Sequence, residues 1–225
     1  MGKWREERIG DCRLILGDCL EVMPTLGNVD AVVTDPPYGI GMSGGNVGYK
    51  GFNNFERKDW DKETPDLAIS YIKGLAVDSI IWGGNYFDLP PSRCYLVWDK
   101  GAGFRGRSYA ESELAITSLD ANARTFSYDP LARGDYRGKQ HPTQKPVALM
   151  EWCLGFLPNA ETILDPFMGS GTTLVACAKL GRRGIGIELD QDYFEIACRR
   201  VEEAYRQPDL FIEPPKKLEQ EAMDL

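Results

Sequence analysis

Thr34-Asp-Pro-Pro-Tyr-Gly-Ile40 sets one carboxylate, two prolines and one aromatic ring in four consecutive residues, directly after the apolar run Ala31 to Val33. A proline after Asp35 forces extended backbone there, and the second proline removes a further N–H donor, so a buried strand has to stop at this point as a stiff loop. Asp35, Pro36, Pro37 and Tyr38 are the candidate catalytic residues. Loops at the carboxyl ends of strands are where open α/β sheets bind ligands.

A second segment, Asp165-Pro-Phe-Met-Gly-Ser-Gly-Thr-Thr173, reads as strand, glycine turn, helix, the arrangement that lets a ligand approach backbone N–H groups. Phosphate is the usual guest, but no lysine follows Gly171, and Asp165 would repel a phosphate. The third glycine of a dinucleotide fingerprint is replaced by Leu174. A ligand with ribose and adenine but no phosphate fits better. Glu188, 19 residues beyond Gly169 at a strand end, is placed to accept from both ribose hydroxyls. S-adenosyl-L-methionine is such a ligand: its sulfonium and ammonium tolerate Asp18, Asp35 and Asp165, and Phe167 facing the cation adds about 0.5 to 2 kcal/mol.

Positioning these groups requires an α/β fold. Apolar runs at Cys12–Leu16, Asp30–Thr34, Ser79–Trp82, Tyr95–Trp98, Glu113–Thr117, Thr162–Leu164 and Gly184–Ile187 predict seven strands, several ending on an acid. Helices are predicted from Pro65 to about Ala76, from Pro146 to Pro158, between the glycine turn and Gly181, and from Asp190 to about Ala204. The strands at Tyr95 and Glu113 lack an intervening helix, which predicts an antiparallel hairpin at the sheet edge. Residues 122–140 show no period and read as loop. Residues 1–206 are expected to form a single domain with a short insertion around 100–140, and 207–225 a charged, proline-broken tail.

No stretch of 18 apolar residues occurs, and the charged start lacks the apolar core of a secretory signal, so a soluble, cytoplasmic protein without membrane contact is expected. Six cysteines without a Cys-x-x-Cys pair, and one histidine, predict buried reduced thiols and no metal. The net charge of −8 argues against a nucleic-acid partner, yet Arg93 to Lys145 carries nine basic against six acidic side chains.

Together, TDPPYGI, His141-Pro-Thr-Gln-Lys-Pro146, DPFMGSGTT and Gly186-Ile-Glu-Leu-Asp190 resemble the β-type N6-adenine DNA methyltransferases, in which Asp-Pro-Pro-Tyr precedes the glycine loop. The resemblance spans most of the chain. It implies a Rossmann-like methyltransferase fold, α/β, with a mostly parallel seven-stranded sheet, an antiparallel edge hairpin and circularly permuted motif order. It further implies a bacterial or phage-encoded enzyme, often of restriction-modification systems, that methylates adenine in DNA and releases S-adenosyl-L-homocysteine. By similarity, Phe167, Gly169, Ser170, Gly171, Thr172 and Thr173 line the methionine and ribose, Glu188 holds the ribose, Asp18 reads the cofactor adenine, and Cys19 and Leu189 also bind the cofactor. His141, Thr143 and Lys145 flank the methionine end. Cytosine-N4, protein-glutamine and RNA methylation are the alternatives, and Protein-glutamine enzymes usually place the glycine loop first.

An exocyclic amine is a poor nucleophile because its lone pair is delocalised into the ring. Asp35 and the Pro36 carbonyl, held rigidly, would accept its hydrogens and localise that pair, with Tyr38 stacking on a base turned out of the duplex. Arg105, Arg107, Arg124, Arg133, Arg137 and Lys139 are the expected DNA contacts, with help from a second subunit in a homodimer, and the glycine-rich loop from Gly41 to Trp60 would close over the base.

Overall fold

The computed structural model describes residues 4–41, 61–62, 64–107 and 109–207. Among the described residues, nine strands form one sheet: β1 (Arg5–Ile9), β2 (Cys12–Leu16), β3 (Val29–Thr34), β4 (Ala76–Trp82), β5 (Tyr95–Asp99), β6 (Ser112–Thr117), β7 (Arg124–Ser127), β8 (Thr162–Asp165) and β9 (Arg183–Glu188). Their order is β1-β2-β9-β8-β3-β4-β6-β5-β7. Pairing is parallel from β2 through β9, β8 and β3 to β4, and antiparallel at β1–β2, β4–β6 and β5–β6. The helices are α1 (Cys19–Val22), α2 (Asp66–Leu75), α3 (Pro130–Arg133), α4 (Val147–Leu154), α5 (Thr172–Lys179) and α6 (Gln191–Arg206).

Alternation along the central strands gives the sheet two buried faces. Ala31, Val33, Ile80, Trp82 and Ile163 join Leu149, Leu154, Leu174, Phe194 and Ala197 of α4, α5 and α6 in one core. Val32, Ile81, Leu164 and Ile187 point the other way and pack with Val22, Ala68, Ile69 and Ile72 of α1 and α2. Helices on both faces leave the carboxyl ends of β2, β9, β8, β3 and β4 as one open edge.

The expected α/β sheet is present, with two more strands than the seven predicted. β1 pairs antiparallel with β2 through the two-residue turn Gly10-Asp11, where Gly10 has φ +55°. Its charged sequence REERI is stabilised from outside by Arg13 on Glu6 and by Arg5 on Glu195 of α6. β7 pairs parallel with β5, so the β5–β6 hairpin forms as predicted but is covered and is not the edge of the sheet. Residues 122–140 are accordingly not all loop: β7 is held by β5, and α3 is capped by the Asp129 carboxylate, which accepts from the N–H groups of Leu131 and Ala132. The expected tail from 208 and most of the glycine-rich loop, 42–60, lie outside the described residues.

Candidate active site

β3 ends at Thr34, and the loop it feeds sits beside the end of β8. The Thr34 hydroxyl donates to Asp165 Oδ1 at 2.7 Å, and Asp165 also accepts from the N–H of Phe167. Asp35 follows directly. Its Oδ1 accepts from the Tyr38 hydroxyl at 2.5 Å and its Oδ2 from Lys145 Nζ at 2.6 Å. The turn is pinned from behind by the buried Asp61, whose Oδ1 accepts from the N–H groups of Tyr38 and Gly39 at 2.7 and 2.8 Å. The Tyr38 ring lies 4.8 Å from Tyr86 in a stacked pair, with Lys145 Nζ 5.5 Å from its centroid. Gly83, at φ +69°, makes room for it: a Cβ there would fall 2.0 Å from the Tyr38 ring.

Lys145 is the junction of the site. Its side chain is 5% exposed, and it pairs with Asp35 and, at 2.9 Å, with Glu113 of β6, which in turn pairs with Lys100 at 2.5 Å. Burial opposes charge on Glu113, but Lys145 and Lys100 outweigh it and hold the carboxyl down at about 2. Burial likewise opposes charge on Lys145, and Asp35 and Glu113 reverse it, keeping the ammonium protonated. Asp35 is shifted upward because burial exceeds the pull of Lys145.

A cleft opens between this cluster and the glycine loop, lined by Asp35, His141, Thr143, Lys145, Asp165 and the turn from Phe167 to Ser170 with Thr172 and Thr173. Gly169 and Gly171 take φ +50° and +77°, and a Cβ on Gly171 would lie 2.9 Å from that of Ala197, so α6 packs tightly on the turn. Burial pushes Asp165 up to about 6 and Glu188 up to about 7, each opposed by the hydrogen bonds it accepts. Glu188 accepts from the N–H groups of Gly169 and Asp190 at 2.9 and 2.8 Å, which orients its carboxylate beside the turn.

The structure gathers most of the predicted site residues at this cleft. Asp18, Cys19, Glu188 and Leu189 lie along the same edge but do not line it: Gly17 N–H donates to the Glu188 carbonyl, joining the ends of β2 and β9. Asp18 caps α1 by accepting from Leu20 N–H at 2.8 Å, and Leu189 is exposed. His141 is buried edge-on against Tyr193, and burial drives its pKa down to about 3, so it is neutral across the physiological range. Arg105 and Arg107 sit on a loop packed against the segment carrying Arg133, Arg137 and Lys139, through Gly103 N–H on Asp129 and Phe104 against Tyr136. Arg124 is separated from them: it pairs with Leu96 at the end of β7 remote from Asp99 and Lys100.

Four contributors were not foreseen: Glu113, Lys100, Asp61 and Arg200, whose guanidinium donates to the Ser170 carbonyl at 2.5 Å and hydroxyl at 2.8 Å. Only Glu113 had a local signal, as an acid in an apolar strand.

An open α/β edge bearing a proline-stiffened carboxylate across a cleft from a glycine turn defines a ligand site at the carboxyl ends of the strands. Comparison with known proteins gives the family. The DNA methylase model N6_N4_Mtase matches residues 92–199. Type II methyltransferase M.HpaI of Haemophilus parainfluenzae is 26% identical over 95% of this chain and 82% of its own length. The Escherichia coli (strain K12) protein named "Putative methylase YubD" is 32% identical over 84% of this chain and 89% of its own. Among solved structures, the M1.HpyAVI-SAM complex has a TM-score of 0.54 at 23% identity, covering 84% of this chain and 99% of that one. PvuII DNA methyltransferase (cytosine-N4-specific) has a TM-score of 0.55 at 14% identity, covering 88% and 92%. The chain belongs to the N6/N4 DNA methylases, S-adenosylmethionine-dependent DNA methyltransferases.

Proposed function

We propose that this chain methylates the N6 amine of adenine in DNA, acting on a base turned out of the stack. The observation that carries this reading is the Asp35 turn standing at the same cleft as Asp165 and the glycine loop, two segments about 130 residues apart in sequence. An aspartate, where N4-cytosine enzymes usually have serine, supports adenine.

The cleft suits the cationic methionine end of S-adenosylmethionine: carboxylates of Asp35 and Asp165 border it, and the turn offers backbone without a lysine for phosphate. Phe167, Asp165 and Gly169 to Thr173 would hold the methionine and ribose, Glu188 the ribose hydroxyls, and Asp18 the adenine. When bound, the cofactor supplies an electrophilic methyl group on a positively charged sulfur.

The chain's own residues prepare the amine. Asp35 and the Pro36 carbonyl accept its two hydrogens, which localises the nitrogen lone pair, and the prolines keep both acceptors from relaxing away. Each Asp35 oxygen already holds one donor, Tyr38 or Lys145, and keeps a second lone pair for the substrate. Lys145 thus holds the carboxylate in its plane while its charge pulls against the burial that raises Asp35. Tyr38 and Tyr86 form an aromatic platform for the base, with Tyr86 its exposed member. Arg105, Arg107, Arg133, Arg137 and Lys139 flank the site as DNA contacts. A DNA substrate and bacterial relatives support a cytoplasmic enzyme, bacterial or phage-encoded.

The test is nucleoside mass spectrometry of DNA incubated with purified protein and isotopically labelled cofactor. Labelled N6-methyladenine is expected; label in N4-methylcytosine alone would reassign the target base, and none in either would remove DNA amines as the substrate.

A further inference from the structure

Glu113 has no part in the chemistry above, yet it is half-buried against it. One unbroken chain of contacts runs from Lys100 through Glu113 and Lys145 to Asp35 and Tyr38, with steps of 2.5, 2.9, 2.6 and 2.5 Å. Its far end is seated by aromatic rings: Lys100 Nζ lies 5.1 Å from the Trp98 centroid and 5.3 Å from that of Phe104. Glu113 keeps 20% of its side chain exposed, while Lys100 and Lys145 keep 8% and 5%. Buried ion pairs of this kind contribute little net stability compared with apolar residues of the same volume, so stability alone does not explain four charged groups here.

Geometry supplies a better reason. Lys145 reaches Asp35 on a long flexible stem, and partners on the Asp35 turn alone, Asp35 itself and the Tyr38 hydroxyl at 3.3 Å, would leave the ammonium free to swing about the carboxylate. Glu113, on strand β6, gives it a second anchor from a separate element of the fold. We infer that Glu113 is a positioning residue for methyl transfer: its carboxylate seats the Lys145 ammonium, which sets the plane of the Asp35 carboxylate that receives the target amine. This rests on the role proposed for Asp35.

The groups facing Lys145 are Asp35 and Tyr38 after β3, Glu113 on β6, Lys100 after β5, Lys139 and His141 before α4, and Cys153 on α4. Three of these are carboxylates or a phenol on the Asp35 and Glu113 sides, and two are lysines. Removing the Glu113 charge leaves Asp35 as the only carboxylate among these groups, so Lys145 must lose its proton more readily.

Glu113→Gln tests this, since it keeps shape and one acceptor oxygen but removes the charge. Expected are a fall in kcat of about 10- to 100-fold with the KM for DNA and cofactor within about threefold, and a basic limb of kcat against pH displaced downward by about one pH unit or more. In a Lys145→Met background the same substitution should cost no further activity, because Glu113 acts through Lys145. NMR titration of 13C-labelled lysine in the full chain reads the Lys145 ammonium directly, and it should deprotonate at lower pH in the variant. If Glu113→Gln does not fold, Glu113→Asp carries the test, with the basic limb retained at its wild-type pH and kcat reduced. A wild-type protein that transfers no methyl group to DNA refutes the reading of the site, whereas Lys145 titrating at the same pH with and without the Glu113 charge, or an unchanged kcat, overturns the inference by itself.

Discussion

Replacing Lys145 with methionine removes the one cation shared by Asp35 and Glu113 while nearly conserving volume. Both carboxylates remain, at 16% and 20% side-chain exposure, and Lys100 still pairs with Glu113 but not with Asp35. Breaking a buried pair by deleting one partner costs about 3 to 5 kcal/mol, because the remaining charge is left uncompensated. For a chain of this size that corresponds to a Tm lowered by about 6 to 20 °C. The sign of the pH dependence follows from Glu113. With its pKa held at about 2 in the wild type, its pairing contributes stability that is fully present above the ordinary carboxylate range near 4.5 and is lost as pH falls toward 2. In Lys145→Met the carboxylates instead carry a penalty that protonation relieves. The gap between the two proteins is therefore widest near pH 7 and narrows as pH falls through about 4.5. Urea unfolding of both at several pH values measures it. A gap below about 1 kcal/mol at pH 7, or one that widens on acidification, would refute the assignment of Lys145 as the keystone of a buried charge cluster.

Gly83→Ala places a methyl group inside the Tyr38 ring volume at a positive φ; methyl transfer should fall by about 100-fold, while calorimetry shows cofactor affinity within about tenfold. Gly171→Ala sets a Cβ against Ala197 and displaces the turn, so cofactor affinity itself should drop by about tenfold or more in the same measurement. Asp165 and Glu188 titrate at about 6 and about 7; both are ionised above those values and neutral below, so affinity for the cationic cofactor should weaken as pH falls from 8 to about 5.5, by about tenfold.

The parts of the site written in local backbone chemistry were readable from sequence. Two prolines after Asp35 and the glycines at 169 and 171 force their own conformations, so both loops were identified with the strands that carry them. β1 was legible but unread: Gly10-Asp11 between Ile9 and Cys12 is a two-residue hairpin signal, masked by the charge of REERI. β7 had no such signal, because Arg124 to Ser127 become a strand only by pairing with β5. Glu113, Asp61 and Arg200 were missed because each acts on a residue 23 to 32 positions away, through contacts that periodicity does not encode. The six basic residues read as one group were divided for the same reason, Arg124 falling at the opposite end of its strand.

The central claim is that Asp35 presents a target amine in DNA for methylation. Its most direct measurement is sequencing of total DNA for modified bases after expressing the chain, and separately Asp35→Ala, in a host without DNA methylation. The account predicts N6-methyladenine within one sequence context for the wild type and none for the variant, with the variant folded and binding cofactor within about tenfold. Unmodified DNA from a folded, cofactor-bound wild type, or equal modification by Asp35→Ala, would contradict it.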